Sequence, residues 1–161
     1  MTTPGHPARW FLAAAALSLG VVGAALYTQH AMGMLPCPWC VLQRLIFVAV
    51  AAAALLGAAL SAPAARRAAA GLMLLGAAAG AAAALWQHFV ATSDTSCKLT
   101  LADRILSASG LDSLLPEVFG AWASCADAAV KLLGLPYEAW SLAAFLLLAA
   151  MAVKLLLRPR G

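Results

Sequence analysis

The hydrophobic positions of this chain gather into four long runs, without the alternation of a half-buried strand or the one-sided stripe of a water-facing helix. The runs extend from Trp10 to about Gln29, from about Trp39 to Leu60, from about Ala68 to Val90 and from about Ala139 to Leu157. A helix needs about 20 apolar residues to cross a hydrocarbon layer about 30 Å thick. The pattern therefore predicts an all-α membrane protein in which residues 1–161 form a single integral domain, a four-transmembrane-helix bundle. Between the second and third runs, residues 61–67 form a short polar break containing the helix-stopping Pro63. Residues 30–38 and 91–138 are the two other connections. In the longer one, Leu114, Leu115, Val118, Phe119 and Trp122 recur at helical spacing, with Asp112, Ser113 and Glu117 elsewhere around the turn. This predicts a short amphipathic helix on the membrane surface, with Pro116 tolerated in its first turn. Gly134-Leu135-Pro136 marks the lead-in to the fourth run.

Composition narrows the class. The chain is 65% hydrophobic and 10% charged, whereas soluble domains average about 45–50% apolar and about 25% charged. That excludes an ordinary water-soluble globule, and it excludes disorder, which needs low hydrophobicity and high charge. The net charge is +4, but the basic residues are scattered in ones and twos without a basic face, which argues against a nucleic-acid partner. Gly20, Gly23, Gly57, Gly71, Gly76 and Gly80 stand among many alanines in the runs; small residues let helices approach closely in lipid.

Charge placement gives a direction. All six acids (Asp94, Asp103, Asp112, Glu117, Asp127 and Glu138) lie between runs three and four. Arg9, Arg66, Arg67, Lys154, Arg158 and Arg160 lie in the N-terminus, the short break and the C-terminal tail. The positive-inside rule then puts both termini in the cytoplasm and residues 30–38 and 91–138 on the opposite side. The first run reads as a span rather than a cleaved signal peptide, because its apolar core exceeds the usual 7–15 or so residues.

The four cysteines carry the chemistry. Cys37 and Cys40 form Cys37-Pro38-Trp39-Cys40 at the start of run two; Cys97 and Cys125 lie in the acidic connection. All four fall on the outer side, which in a bacterial cell is the oxidising one. Four cysteines allow three pairings, and proximity favours Cys37–Cys40 and Cys97–Cys125. A bridge across two intervening residues closes too small a ring to be merely a staple. Pro36 and Pro38 stop any upstream helix, so Cys40 falls in the first turn of the next one. There, free N–H groups and the helix dipole stabilise a thiolate. Arg44 follows four residues later on the same face; an arginine about one turn inside a span is by default functional. It can pair with the Cys40 thiolate or with a carbonyl oxygen of a bound ligand, the plainer alternative being snorkelling to the interface. Gln43 is a candidate hydrogen bonder. His88, in Trp86-Gln87-His88-Phe89, and His30 end their runs at the same depth. Each reads either as an interfacial anchor or as a ligand contact, and together they admit a di-haem alternative. Val41 after Cys40 excludes covalent haem attachment by Cys-x-x-Cys-His. Cys97 and Cys125 lack the compact spacing of a zinc site, so no metal is expected. Cys97 lies in the polar stretch Thr92-Ser93-Asp94-Thr95-Ser96-Cys97-Lys98, where another protein can reach it.

Four spans, Cys37-Pro38-Trp39-Cys40-Val41-Leu42-Gln43-Arg44 opening the second, and Cys97 with Cys125 in the second outer loop resemble the disulfide bond formation protein B (DsbB) family. The Gly134-Leu135-Pro136…Trp140 approach to span four is also similar, while Gln43 stands where some members carry Glu. The resemblance implies a thiol:quinone oxidoreductase of the bacterial inner membrane. It would reoxidise a DsbA-like periplasmic thiol oxidase and pass the electrons to ubiquinone or menaquinone in the lipid bilayer. By position, Cys97 would join the partner in a mixed disulfide with Cys125 as its mate. Cys37 would accept the bridge from the loop pair, and Cys40 would be the thiolate beside the quinone. Arg44 matches a quinone-site arginine, and His88 a histidine near that site. A vitamin K epoxide reductase-like quinone reductase places its loop pair before the Cys-x-x-Cys motif, the reverse of the order here. A non-catalytic scaffold with two structural disulfides is the remaining alternative.

Overall fold

A computed structural model describes residues 6–93 and 99–157. Four helices are each long and apolar enough to cross a membrane: α1 (His6–Met32), α2 (Pro38–Ala59), α3 (Pro63–Trp86) and, last in the chain, α7 (Tyr137–Leu156). The four runs in the sequence each became one of them. Pro38 and Pro63 both stand in the first helical turn, where a missing N–H costs nothing, so Pro63 starts α3 instead of ending a break. Arg66 and Arg67 are consequently helical, and Arg66 Nε donates to the Leu60 carbonyl at 2.6 Å.

The bundle closes in the order α1, α2, α3, α7, with α1 meeting α7 only lightly. Its core is small-residue packing around a few rings. Phe47 of α2 stacks on Phe145 of α7 with centroids 3.9 Å apart. Gly80 lies against the Phe145 ring and Gly57 against Phe11, so a side chain at either would collide with an aromatic face. Leu12, Leu19, Leu56, Leu72, Leu75, Leu146 and Leu147 point outward. Such a leucine belt suits lipid and would be a liability in water. At one end of the bundle the Lys154 ammonium sits 4.0 Å over the Trp10 ring, so the start of α1 and the end of α7 share that end.

The connection over the other end departs from expectation. Its amphipathic helix is α4 (Leu101–Ser109), earlier than predicted and closed by a reciprocal Thr100–Asp103 capping box. Leu106 joins Val41 and Phe119 in a small cluster on α2. The expected helix through residues 114–122 is broken into α5 (Leu111–Leu114) and α6 (Pro116–Phe119). Pro116 has no N–H and pushes Leu115 out of helical geometry (φ −133°, ψ 64°), and extended Gly120 ends the second turn. A two-residue antiparallel ladder, β1 (Lys131–Leu132) with β2 (Leu135–Pro136), turns through Leu133 and Gly134 at φ 53° and 83° and feeds α7.

Candidate functional site

The first turn of α2 gathers sulfur. Cys37 is its N-cap, and the Cys37 sulfur accepts the Cys40 backbone N–H at 3.3 Å. The two sulfurs lie 2.9 Å apart, with Cys37 fully buried and Cys40 half-buried. Trp122 N–H and Ala123 N–H both reach the Pro36 carbonyl, at 2.9 and 3.3 Å, and tie the connection between α3 and α7 to the approach to Cys37. That tie brings in Cys125, which is buried in one cluster with Cys37 and Trp39. The Cys37 sulfur thus takes up a free N–H group at the helix start, the place where developing negative charge is best stabilised. The hydrogen bond from Cys37 holds the Cys125 thiol below its ordinary value, against the opposing effect of burial. The same contact, with Cys40 beside it and burial around it, pushes the Cys37 thiol up. Cys97 lies outside the described residues.

One turn deeper, polar side chains converge behind Cys40. Gln87 donates through Nε2 to the Cys40 sulfur at 3.2 Å, and its Oε1 accepts from Gln43 Nε2 at 2.7 Å. Both glutamines are buried. Gln87 opens a π-helical turn (Gln87–Ala91), with Thr92 N–H reaching back to the Gln87 carbonyl at 3.1 Å. Such a widened turn is frequent at functional sites. Arg44, 4% exposed, donates through Nη1 to Gln29 Oε1 at 3.0 Å and to the Val118 carbonyl. Gln29 in turn donates to the Glu117 carbonyl at 3.1 Å. The guanidinium therefore braces α1 and α6 against α2. Its Nε N–H is buried with no partner.

Cys40, Gln43, Arg44 and Gln87 line one cavity of about 440 Å³, walled by apolar residues of α1, α2 and α7 including Val22, Phe47, Ala144 and Leu147. Apolar walls with a few converging polar groups are the usual form of a small-molecule site, and the volume accommodates a ring-sized head group. The orphaned Arg44 N–H is a donor without an acceptor, so the donor set fits a carbonyl oxygen, as a quinone carries.

Cys37, Cys40, Cys125 and Arg44 thus come together. Gln43 is a hydrogen bonder to Gln87. His88 is displaced from the cavity wall: its Nδ1 lies 2.7 Å from Glu138 Oε1, and Glu138 is the wall residue. His30 is exposed at the end of α1. Sequence reasoning passed over Gln29, Gln87 and Glu138. The first two are amides at the ends of apolar runs, the signal that singled out Gln43. Glu138 counted only as one of six acids in that connection, and nothing local in the sequence distinguishes it from the others.

The profile described as "DsbB: Disulfide bond formation protein DsbB" matches residues 7–155. The chain is 37% identical over 155 residues to disulfide bond formation protein B of Aromatoleum aromaticum, a match covering 94% of this chain and 93% of that protein. It is 35% identical over 154 residues to disulfide bond formation protein B of Cupriavidus necator, covering 94% of each. A third protein of the same name, from Ralstonia nicotianae, is 54% identical over 41 residues, 26% of each chain. With a family profile spanning nearly the whole chain and relatives of matching length and name, this chain belongs to the DsbB family.

Proposed function

We propose that this chain is an inner-membrane thiol:quinone oxidoreductase that reoxidises a DsbA-like periplasmic protein and delivers the electrons to ubiquinone or menaquinone. Family membership carries the general role in periplasmic disulfide bond formation and the use of quinone. The observation that carries the finer reading is that Cys40 and Arg44, with its unpartnered N–H, share the wall of the apolar cavity. When bound, a quinone supplies an acceptor for two electrons and two protons.

The chain's own groups divide the work. Cys97 meets the partner and Cys125 pairs with it, both in the outer loop. The contact between Cys125 and Cys37 is where the loop pair hands its electrons to the motif pair. Exchange needs a thiolate attacking a disulfide sulfur, and the α2 N-terminus favours negative charge on sulfur there. Cys40 then faces the cavity as a thiolate held by Gln87, while Arg44 orients and stabilises charge on an oxygen in the cavity. The overall reaction is partner dithiol plus quinone giving partner disulfide plus quinol. A DsbA-like oxidant stands near −120 mV, so its electrons must go to something still more oxidising.

In this reading residues 1–161 are one integral domain with both termini cytoplasmic and the cysteines facing the periplasm. The test is quinone-dependent oxidation of a reduced DsbA-like protein by the purified chain. Turnover abolished in Cys40→Ser is expected. Retention of full turnover in that variant would leave the cysteines a structural role only.

A further inference from the structure

Glu138 is a carboxyl inside the bundle. It stands in the first turn of α7, is 6% exposed, and lines the cavity with Cys40, Arg44 and Gln87. Its one recorded hydrogen-bond partner is His88, with Nδ1 and Oε1 2.7 Å apart. The His88 side chain is 45% exposed, against 7% for that of Glu138. One end of the pair is therefore exposed at the α3 extension and the other touches the cavity. A buried carboxyl is expensive unless something is gained by keeping it there.

The other groups on the cavity wall are poor proton donors. Arg44 does not deprotonate in proteins, and glutamine amides do not titrate. Cys40, as a thiolate, has no proton to give. Tyr137 holds its hydroxyl 3.0 Å from Thr28. Cys37 is fully buried and absent from the wall. Yet forming a quinol needs two protons delivered where two electrons arrive.

Resting on the function just argued, we propose that His88 and Glu138 are a proton-delivery pair: Glu138 passes a carboxyl proton to an acceptor oxygen in the cavity, and His88 restores it from outer water. The balance is complete. The Cys40 proton leaves to water when its thiolate forms; the Cys37 thiol and Cys40 thiolate then lose two electrons and one further proton, also to water, as their S–S bond forms. Two electrons and two protons go onto the quinone, each proton through Glu138 in turn. No net proton is consumed; the pair sets only the route. Among the described residues, the other titratable or charged groups on the cavity wall are Cys40 and Arg44 from α2 and Tyr137 beside Glu138 on α7. The α3 extension presents Gln87 beside His88, α1 presents Thr28, and the hairpin segment presents Val130 and Leu132.

The experiment uses the purified full chain, a short-chain ubiquinone and a reduced DsbA-like protein. Binding is read separately by quenching of tryptophan fluorescence, since Trp140 lines the cavity. Glu138→Gln should bind the quinone within about threefold of the parent affinity but turn over about 100-fold more slowly, the range of a general acid. Its slowed step should show a larger solvent deuterium isotope effect. His88→Ala, at a half-exposed position that tolerates truncation, should be slowed likewise and recover activity on addition of imidazole. Parent-like kcat in both variants overturns the proposal. Loss of quinone binding in Glu138→Gln, or no recovery of His88→Ala by imidazole, assigns the pair a positioning role and overturns it too. A parent chain that neither binds nor reduces the quinone fails the underlying function instead, and the pair falls with it.

Discussion

Replacing Gln87 by leucine tests what holds charge on Cys40. Gln87 is 1% exposed and makes two side-chain bonds, to the Cys40 sulfur at 3.2 Å and from Gln43 at 2.7 Å. They are unequal. Between neutral side chains of packed spans a hydrogen bond averages about 0.6 kcal/mol and reaches about 1.7 kcal/mol. A bond to a charged acceptor contributes about 1.5–3 kcal/mol. The loss therefore falls mainly on the thiolate, and at about 1.36 kcal/mol per tenfold it predicts a roughly 10- to 150-fold drop in kcat. The assay is stopped-flow oxidation of a reduced DsbA-like protein at saturating quinone. KM for that protein should stay unchanged, because the Gln87 side chain is engaged by Cys40 and Gln43 inside the bundle. Gln43→Leu leaves the bond to sulfur in place and should slow turnover by only about threefold, in line with one neutral bond. The single Gln87 variant also strands the Gln43 amide, 2% exposed, at about 1–3 kcal/mol of stability. The double variant Gln43→Leu, Gln87→Leu should regain thermal stability without regaining rate. Turnover within twofold of the parent in Gln87→Leu, or equal losses in both single variants, would refute thiolate stabilisation by this amide.

Arg44→Met should raise KM for quinone by about tenfold or more, the range of a charged hydrogen bond, while oxidised chain still accepts electrons from the partner dithiol in a single turnover. An unchanged quinone KM would remove Arg44 from the site. In a Cys40→Ser, Cys97→Ser variant, mild oxidation should bridge Cys37 to Cys125, seen by mass spectrometry of a non-reduced digest; two persistent free thiols would break the electron route. Gly80→Val drives a branched side chain into the Phe145 ring and should cost about 1–3 kcal/mol, measured as a lower Tm. Gly71→Ala, where the added methyl meets nothing within 4 Å, is the near-neutral control.

Most of this molecule was legible because lipid leaves a chain few choices. An apolar run of span length must satisfy its backbone internally, so each of the four runs became a helix whatever it packs against. Cys40 in a first turn followed from Pro38, and Arg44 followed from helical spacing. The connection between α3 and α7 was misread because its folding depends on what it covers. Leu101 to Ser109 forms α4 through a local capping box that was overlooked, whereas the apolar spacing around Pro116 was read without weighing what proline does to Leu115.

By itself, then, the order of residues determined the spans, the helix that begins at the cysteine motif, and the presence of a costly cation one turn inside it. All of these are properties of short segments in a solvent that enforces hydrogen bonding along the chain. Tertiary structure alone decided that Cys125 packs beside Cys37, that Gln87 hydrogen-bonds Cys40, and that Glu138 is carried inside to meet His88. Those partners are separated by 88, 47 and 50 positions. Which of several equivalent amides or carboxyls ends up at the cavity depends on how helices seat against one another, and no local pattern encodes that.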